Sequence, residues 1–125
     1  MTHDTIHVAL GARSYDIHVG AGLIADLHDL VPWPAHARNA VVVTNGVVWE
    51  HYGEAVSTAV EAAGLALAVI RVPDGEQAKS TDTLAALWSR FAGIPLLRDD
   101  VVIALGGGVV GDLAGFAAAT WNRGV

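Results

Sequence analysis

The sequence contains no cysteine, and this excludes several kinds of chemistry at once. A chain without thiols forms no disulfide, offers no thiolate to a metal and has no cysteine nucleophile. The absence is in keeping with a reducing compartment, since disulfides persist mainly in oxidising ones. Fold and function must therefore come from packing, hydrogen bonds and the other side chains.

Long apolar runs and a targeting signal are also missing. No apolar stretch approaches the roughly 18 residues that a membrane-spanning helix needs. The first residues, Met1-Thr2-His3-Asp4, lack the basic segment and apolar core of a secretory signal. We expect a cytoplasmic protein that has no membrane partner.

Positive charge is scarce, because 7 lysines and arginines face 13 acidic residues and leave a formal net charge of −6. This balance excludes the broad basic surface with which proteins bind nucleic acids or anionic membranes. Any anionic ligand must be held by a local group of donors.

Hydrophobic residues make up 53% of the chain, which in a small domain predicts strands covered on both faces or an interface left bare.

The length of 125 residues predicts one domain that covers residues 1–125. Its N-terminal part alternates apolar and polar side chains around a break at Gly11-Ala12-Arg13, a pattern typical of a half-buried β-hairpin. The alternating apolar residues are Ile6, Val8 and Leu10 before the break and Tyr15, Ile17 and Val19 after it. A short helix is expected at residues 23–30, and Pro32 and Pro34 then enclose Trp33 in a loop.

The rest of the chain alternates strands with amphipathic helices. Strands are expected at residues 40–44, 65–72 and 101–105, and helices at residues 47–63 and 81–91, the second with Ser80 as its cap. Alternation of this kind implies parallel strands whose faces are covered by helices. The predicted class is α/β, a partial Rossmann-like parallel sheet preceded by a hairpin. Three strands form about one half of a doubly wound dinucleotide-binding fold.

A glycine-rich turn joins the last predicted strand to the next helix. Gly106, Gly108 and Gly111 satisfy the spacing G-x-G-x-x-G in the strand-to-helix context that gives this pattern its meaning. Glycine lets the main chain approach a pyrophosphate closely, and the N–H groups of the following helix favour an anion. Asp112 is expected in the first turn of that helix, where it faces a ligand hydroxyl or serves only as a cap. The alternative is that the glycines merely allow close packing of helix on strand.

Two further polar segments follow predicted strands. The loop Pro73–Lys79 places a carboxylate, Glu76, and a flexible cation, Lys79, three residues apart at the carboxyl end of a strand. Ligands of open parallel sheets bind outside those ends. Asn45 could offer its amide to a ribose or adenine, but Asn45-Gly46 is equally an ordinary turn dipeptide.

The sequence gives no sign of a metal site or of a catalytic set. The six histidines form no helical ligand pair beside a carboxylate, so we interpret them as solvated surface residues. They are His3, His7, His18, His28, His36 and His51. Asp99-Asp100 is interpreted as a solvated loop before a buried strand, and no Ser-His-Asp arrangement is visible.

Residues Gly106 to Gly124, read as GGGVVGDLAGFAAATWNRG, closely resemble the signature of the 3-dehydroquinate synthases, which are sugar phosphate cyclases. The loop Asp74-Gly75-Glu76-Gln77-Ala78-Lys79 is similar to the nucleotide-contacting loop of that family. The segment Arg13-Ser14-Tyr15 in the hairpin also resembles this family. The resemblance covers essentially the whole chain but only the N-terminal third of the family, so a truncated chain without the C-terminal metal and substrate domain is expected.

The resemblance implies that this domain binds NAD⁺. Asn45 would lie near the adenosine end, although Val47 departs from the polar residue that the family often has there. Arg123 would reach the phosphate of the substrate across a homodimer interface, the alternative being a surface ion pair. The implied coenzyme-binding residues are Asn45, Asp74, Gly75, Glu76, Gln77, Ala78, Lys79, Gly106, Gly107, Gly108, Val109, Val110, Gly111 and Asp112.

The reaction of the family is the cyclisation of 3-deoxy-D-arabino-heptulosonate 7-phosphate to 3-dehydroquinate with loss of phosphate. The NAD⁺ of these enzymes oxidises a hydroxyl transiently, and a divalent metal, zinc or cobalt, polarises the reacting oxygen. The metal ligands of the family belong to its C-terminal domain, so this chain alone is expected to be inactive. Three alternatives stay open: a sister cyclase that makes a valiolone or a deoxy-inosose, a metal-dependent alcohol dehydrogenase, or a non-catalytic nucleotide-binding module that pairs with an intact subunit.

Overall fold

A three-stranded parallel sheet lies at the centre of the structure, a computed structural model that describes residues 2–125. The strands and helices, in chain order, are β1 (His3–Val8), β2 (Tyr15–Gly20), α1 (Leu27–Leu30), β3 (Asn39–Thr44), α2 (Gly46–Ala62), β4 (Ala66–Arg71), α3 (Thr81–Gly93), β5 (Val101–Leu105) and α4 (Gly108–Thr120). Among these residues, none of the helices combines the length and the hydrophobicity that a membrane crossing requires.

The order of the sheet is β4-β3-β5, with both pairings parallel. Val42 in the middle of β3 lies opposite Val69 of β4 and Ile103 of β5. The predicted α/β class, the parallel pairing and the order of elements are confirmed. Thr44 ends in register with Arg71 and Leu105, so all three strands finish at the same edge of the sheet.

Strand β3 divides the hydrophobic core into two layers because its side chains alternate between the two faces of the sheet. Ala40 and Val42 pack with α2, whereas Val41 and Val43 pack with α3 and α4. All four side chains are completely buried. Helices on both faces explain the continuous apolar run that the sequence shows here.

The two edges of the sheet differ. Strand β5 was expected to be buried, but it pairs only with β3 and is partly exposed along its length. On β4, the N–H groups of Ala66 and Val72 point towards β3, so the carbonyl of Val69 points outward. Arg90 of α3 donates a hydrogen bond from Nη2 to this carbonyl at 3.3 Å. The outer edge of β4 is therefore partly closed by a side chain.

The hairpin pairs as predicted, with Ile6 opposite Ile17 in the antiparallel register. The apolar face is about half-buried, as predicted, since Ile6, Tyr15, Ile17 and Val19 are 42–54% exposed. The polar face of the hairpin, not the apolar one, faces α1: Asp16 and His18 line a cleft with residues 23–32. The apolar face is therefore directed away from the rest of the domain.

Asp100 is buried, which contradicts the interpretation of Asp99-Asp100 as a solvated loop. Its side chain is 6% exposed and accepts hydrogen bonds from the N–H groups of Arg38 (2.9 Å), Asn39 (3.0 Å) and Leu97 (2.8 Å). Only Asp99 is exposed. Burial alone raises the pKa of Asp100, but these backbone donors together with the Asn39 amide lower it below its ordinary value. The carboxylate thus ties the start of β3 to the loop before β5.

We expect Asp100→Ala to lower the free energy of unfolding at pH 7 by about 3 kcal/mol, because three backbone N–H groups lose a buried, charged acceptor. Since the pKa of Asp100 is lower in the folded chain, its contribution is complete above the unfolded-state value of about 4 and is lost as the pH falls through the folded-state pKa. Urea unfolding at pH 7 and along an acid series measures both effects. Asp99→Ala is the control and should change little; equal losses in the two variants would contradict the assignment.

Candidate functional site

The carboxyl ends of the three parallel strands bring the polar segments of the sequence to one edge. Asn45 follows β3, the loop from Pro73 to Lys79 follows β4, and Gly106-Gly107 follows β5. Ligands of open parallel sheets bind at this position. Segments that are about thirty residues apart along the chain are neighbours here because the strands run in the same direction.

The glycines of the turn have two different roles. A Cβ atom at Gly106 would lie 2.9 Å from Cγ2 of Val110, so this glycine is needed for close packing of α4 on the sheet. Cβ atoms at Gly107, Gly108 and Gly111 would have no atom within 4 Å. Packing therefore explains one glycine, whereas the other three border an open space that a ligand can enter.

The N-terminus of α4 carries no side-chain cap, in contrast to the other two long helices. The Oδ1 atom of Asn45 accepts from the N–H of Val48 at 2.9 Å to cap α2, and Oγ of Ser80 accepts from the N–H of Thr83 at 3.2 Å to cap α3. The corresponding residue of α4 is Gly107, which has no side chain to contribute. The first N–H groups of α4 are thus available to an external acceptor at the positive end of the helix dipole.

Asn45 acts first as a structural residue, because its amide oxygen is used by the cap of α2. The amide oxygen of Asn45 therefore has the structural role expected of an ordinary turn residue. The NH₂ group is the part of the side chain that can still donate to a ligand. The neighbouring Val47 is 59% exposed and adds no polar group to this side of the edge.

The loop after β4 is held in a defined shape by its own residues. Gly75 has φ of +92°, which favours glycine, and the amide of Gln77 donates to the carbonyl of Asp74 at 2.6 Å. Ala78 is 1% exposed and anchors the loop in the core. This anchor places Lys79, the only lysine of the chain, at the end of the loop beside α4.

Lys79 and Asp112 connect two of the segments that the sequence singled out. The distance from Lys79 Nζ to Asp112 Oδ2 is 2.6 Å, and a second carboxylate, Oε2 of Glu76, lies 3.7 Å from Nζ. The hydrogen bond to Asp112 raises the pKa of Lys79 above its ordinary value. Both side chains are well exposed, so the pair contributes little to stability and acts mainly by orienting the ammonium group.

The expected position of Asp112 in the first turn of its helix is wrong. Because α4 begins at Gly108, Asp112 is its fifth residue, and no acidic residue lies in the first turn. The carboxylate contacts Lys79 and does not cap the helix. The N–H groups at the start of α4 are therefore not occupied by the acid that the sequence placed closest to them.

Thr44 is a residue of this edge that sequence reasoning missed. Its side chain is completely buried, and its hydroxyl donates to the carbonyl of Leu105 at 2.7 Å. Leu105 is the last residue before the glycine turn, so this bond fixes the start of the turn against β3. The available signal was a hydroxyl directly after the apolar run of residues 40–43.

Arg123 lies at the opposite end of α4 from the glycine turn. The helix between them is about 20 Å long at 1.5 Å per residue. Arg123 is exposed, has φ of +61°, and forms no ion pair among residues 2–125. The structure therefore does not bring Arg123 together with the other predicted site residues within one chain.

Metal-binding clusters of the usual kind are not found in the part of the chain that the structure describes. No three His, Cys, Asp or Glu side chains there are placed so that they could hold one ion. The edge of the sheet described above offers backbone N–H groups, one ammonium group and one amide as donors to an anion, beside the carboxylates of Asp112 and Glu76.

Comparison with known families gives a match over the second half of this chain. Residues 69–125, which include β5, α4 and the loop with Lys79, match the family described as 3-dehydroquinate synthase N-terminal. Two solved sugar phosphate cyclases share the fold. A 2-deoxy-scyllo-inosose synthase, solved with carbaglucose-6-phosphate, NAD⁺ and Co²⁺, has a TM-score of 0.82 at 20% identity, over 98% of this chain and 33% of that one.

The second solved relative is a 2-epi-5-epi-valiolone synthase from Streptomyces hygroscopicus with NAD⁺ and Zn²⁺ bound. Its TM-score is 0.71 at 28% identity, over 94% of this chain and 32% of that one.

Curated relatives match almost the entire chain. The 3-dehydroquinate synthase of Caulobacter vibrioides is 44% identical over 122 residues, which is 97% of this chain and 33% of that protein. The 3-dehydroquinate synthase of Symbiobacterium thermophilum is 48% identical over 117 residues, which is 93% of this chain and 33% of that protein. The chain spans about a third of the length of these relatives. Almost the whole chain is therefore similar to about a third of a 3-dehydroquinate synthase.

Proposed function

We propose that this chain is the NAD⁺-binding part of a 3-dehydroquinate synthase, the lyase that cyclises 3-deoxy-D-arabino-heptulosonate 7-phosphate to 3-dehydroquinate with elimination of phosphate. The observation that carries the proposal is the N-terminus of α4, which is uncapped and bordered by glycines that packing does not require. Two solved relatives hold NAD⁺, which supports the same coenzyme here. The absence of cysteine is in keeping with a cytoplasmic enzyme.

The backbone around the glycine turn fits the diphosphate of a dinucleotide. Side chains at Gly107, Gly108 and Gly111 would project into the space that the diphosphate needs, and glycine leaves that space empty. The first N–H groups of α4 would donate to its oxygens. When bound, NAD⁺ supplies a hydride acceptor that can return the hydride later in the same turnover.

Lys79 would supply the local positive charge that an acidic chain otherwise lacks. Its ammonium group carries three N–H donors, of which Asp112 accepts one. The remaining donors can bind an oxygen of the coenzyme while Asp112 keeps the group in place. The role of Asp112 in this proposal is to position Lys79, and the predicted contact of Asp112 with a ligand hydroxyl is compatible with its second oxygen.

Arg123 and the exposed face of the hairpin support a homodimer. Because Arg123 lies about 20 Å from the turn, it cannot contact an anion at the N-terminus of its own α4. We propose that it binds the phosphate of the substrate in the site of a second copy, where its planar fork suits such a group. The apolar hairpin face, directed away from the domain, is typical of a surface that another subunit covers.

The divalent metal of the reaction would be held outside the region that this chain shares with its relatives. No group of three histidine, cysteine or carboxylate side chains that could hold a metal exists among residues 2–125. Zinc or cobalt is proposed for the complete enzyme, in line with the Zn²⁺ and Co²⁺ of the two solved relatives. Identities of 44–48% with 3-dehydroquinate synthases, against 20–28% with the solved sister cyclases, favour the former reaction.

We expect Gly108→Ala to weaken NAD⁺ binding at least tenfold, because its methyl group would occupy the space of the diphosphate while the helix tolerates alanine. Isothermal titration calorimetry of the chain with NAD⁺ measures the change. Gly115→Ala is the matched control, since Gly115 is also helical and unobstructed but lies about 10 Å further along α4. A folded wild-type chain that binds no NAD⁺ at millimolar concentration, or equal affinities for both variants, would refute the proposal.

We expect Asp112→Asn to lower the pKa of Lys79 towards its ordinary value, because the hydrogen bond to Asp112 is the main cause of the upward shift. Reductive ¹³C-methylation labels the single lysine side chain, whose NMR signal can be followed through a pH titration. Glu76→Gln should lower the same pKa less, since Glu76 is the more distant carboxylate. An unchanged titration in Asp112→Asn would show that the pair does not persist in solution.

A chimera can be made in which this chain replaces the matching third of the Caulobacter vibrioides synthase. We expect this chimera to be active. Formation of 3-dehydroquinate with release of phosphate is the readout. Within the chimera, Arg123→Gln should raise KM for the substrate about tenfold and leave NAD⁺ affinity unchanged, whereas Arg38→Gln, at an exposed position, should alter neither. A folded chimera that binds NAD⁺ but makes no product would contradict the assigned reaction and leave the coenzyme proposal standing.

A further inference from the structure

One face of the hairpin consists almost entirely of residues that can bind metals. The antiparallel register pairs Thr5 with His18 and His7 with Asp16, and His3 is the next residue on the same face. The proposed coenzyme site uses none of these five side chains. Packing does not require this composition, since imidazole and carboxylate groups gain little from burial.

Three atoms of this face form a compact triangle. Nε2 of His3 lies 3.1 Å from Nδ1 of His18, and Oγ1 of Thr5 lies 3.0 Å from the same Nδ1 and 3.4 Å from Nε2 of His3. The two imidazole nitrogens are close enough to share one proton. They are equally close enough to bind one cation.

We propose that His3, His18 and Thr5 form a surface site for a divalent transition metal such as Zn²⁺. Zinc binds imidazole nitrogen at about 2.0–2.1 Å, and the donors of a tetrahedral zinc site are then about 3.3–3.4 Å apart. The three distances of the triangle lie within a few tenths of an ångström of that separation. Neutral imidazole is a preferred zinc ligand, the Thr5 hydroxyl is a weaker third donor, and water completes the shell.

The surroundings of His18 favour a bound cation. His18 is half-buried, and with His7 and Asp16 it lines a cleft of about 280 Å³ that Leu30 and Pro32 close on the other side. Asp16 brings a negative charge to the same face and holds the ring of His7 through a 2.7 Å contact to Nδ1. The negative charge of Asp16 on this face attracts a divalent ion to the neighbouring imidazoles.

This site is separate from the metal that the proposed reaction requires. It contains two histidines and a hydroxyl, not three strong ligands, so its affinity should lie far below that of structural zinc sites. It also does not depend on the coenzyme proposal, because neither NAD⁺ nor the edge of the sheet is involved.

The test is a titration of the chain with Zn²⁺ alone, without coenzyme, followed by calorimetry and by the NMR signals of the histidine rings. The signals of His3 and His18 should shift first and together. His3→Ala and His18→Ala should each lower the Zn²⁺ affinity at least tenfold, and Thr5→Val should lower it less. His36→Ala is the matched control, because His36 is an exposed histidine outside the hairpin, and it should leave the affinity unchanged.

Two results would overturn the proposal. One is a first shift at other histidines in the unmodified chain, which needs no variant and so does not depend on how any variant folds. The other is an equal loss of affinity in His18→Ala and His36→Ala when circular dichroism shows both to be folded, since this would mean diffuse binding to surface imidazoles.

Discussion

The parallel pairing of β4 and β5 on the two sides of β3 is the constraint on which the rest of this structure depends. Because all three strands run in the same direction, the loops that follow them reach the same edge of the sheet. The buried side chains of β3 hold helices on both faces, and two buried polar residues fix its ends. Asp100 ties the start of β3 to the loop before β5, and Thr44 joins the end of β3 to the carbonyl of Leu105.

The chemistry of the candidate site follows from which helix end is left without a cap. Asn45 and Ser80 satisfy the N–H groups of their own helices, so those two helix ends have less to offer a ligand. Gly107 has no side chain that could accept a hydrogen bond from the N–H groups at the start of α4. In a chain with a net charge of −6, this backbone edge and the single lysine are the local means of holding an anion. Lys79 is kept beside α4 by Asp112, so charge and backbone donors are assembled before a ligand arrives.

The sequence predicted the α/β class, the order of the elements and the glycine turn, because these depend on local signals such as hydrophobic period, caps and glycine spacing. The strand at Val101–Leu105 and the cap at Ser80 occur as expected. Wrong predictions arose where the outcome depends on contacts between distant residues. Asp100 looked solvated because its donors at Arg38 and Asn39 are 62 and 61 residues away. Asp112 was misplaced because the start of α4, one residue after Gly107, shifts it beyond the first turn.

The hydrogen bond from Arg90 to the carbonyl of Val69 makes the two edges of the sheet different. The strand order alone, with one parallel neighbour on each side of β3, does not show this difference. The guanidinium group of Arg90 covers part of the outer edge of β4. Among the described residues, no side chain covers the outer edge of β5 in the same way. Strand addition is therefore directed to one side. If two copies of the chain paired through their β5 edges, neither copy would keep an open β5 edge, and the partly covered β4 edges would lie on the outside of the pair. Such a pair would have no further open margin to which a third chain could add.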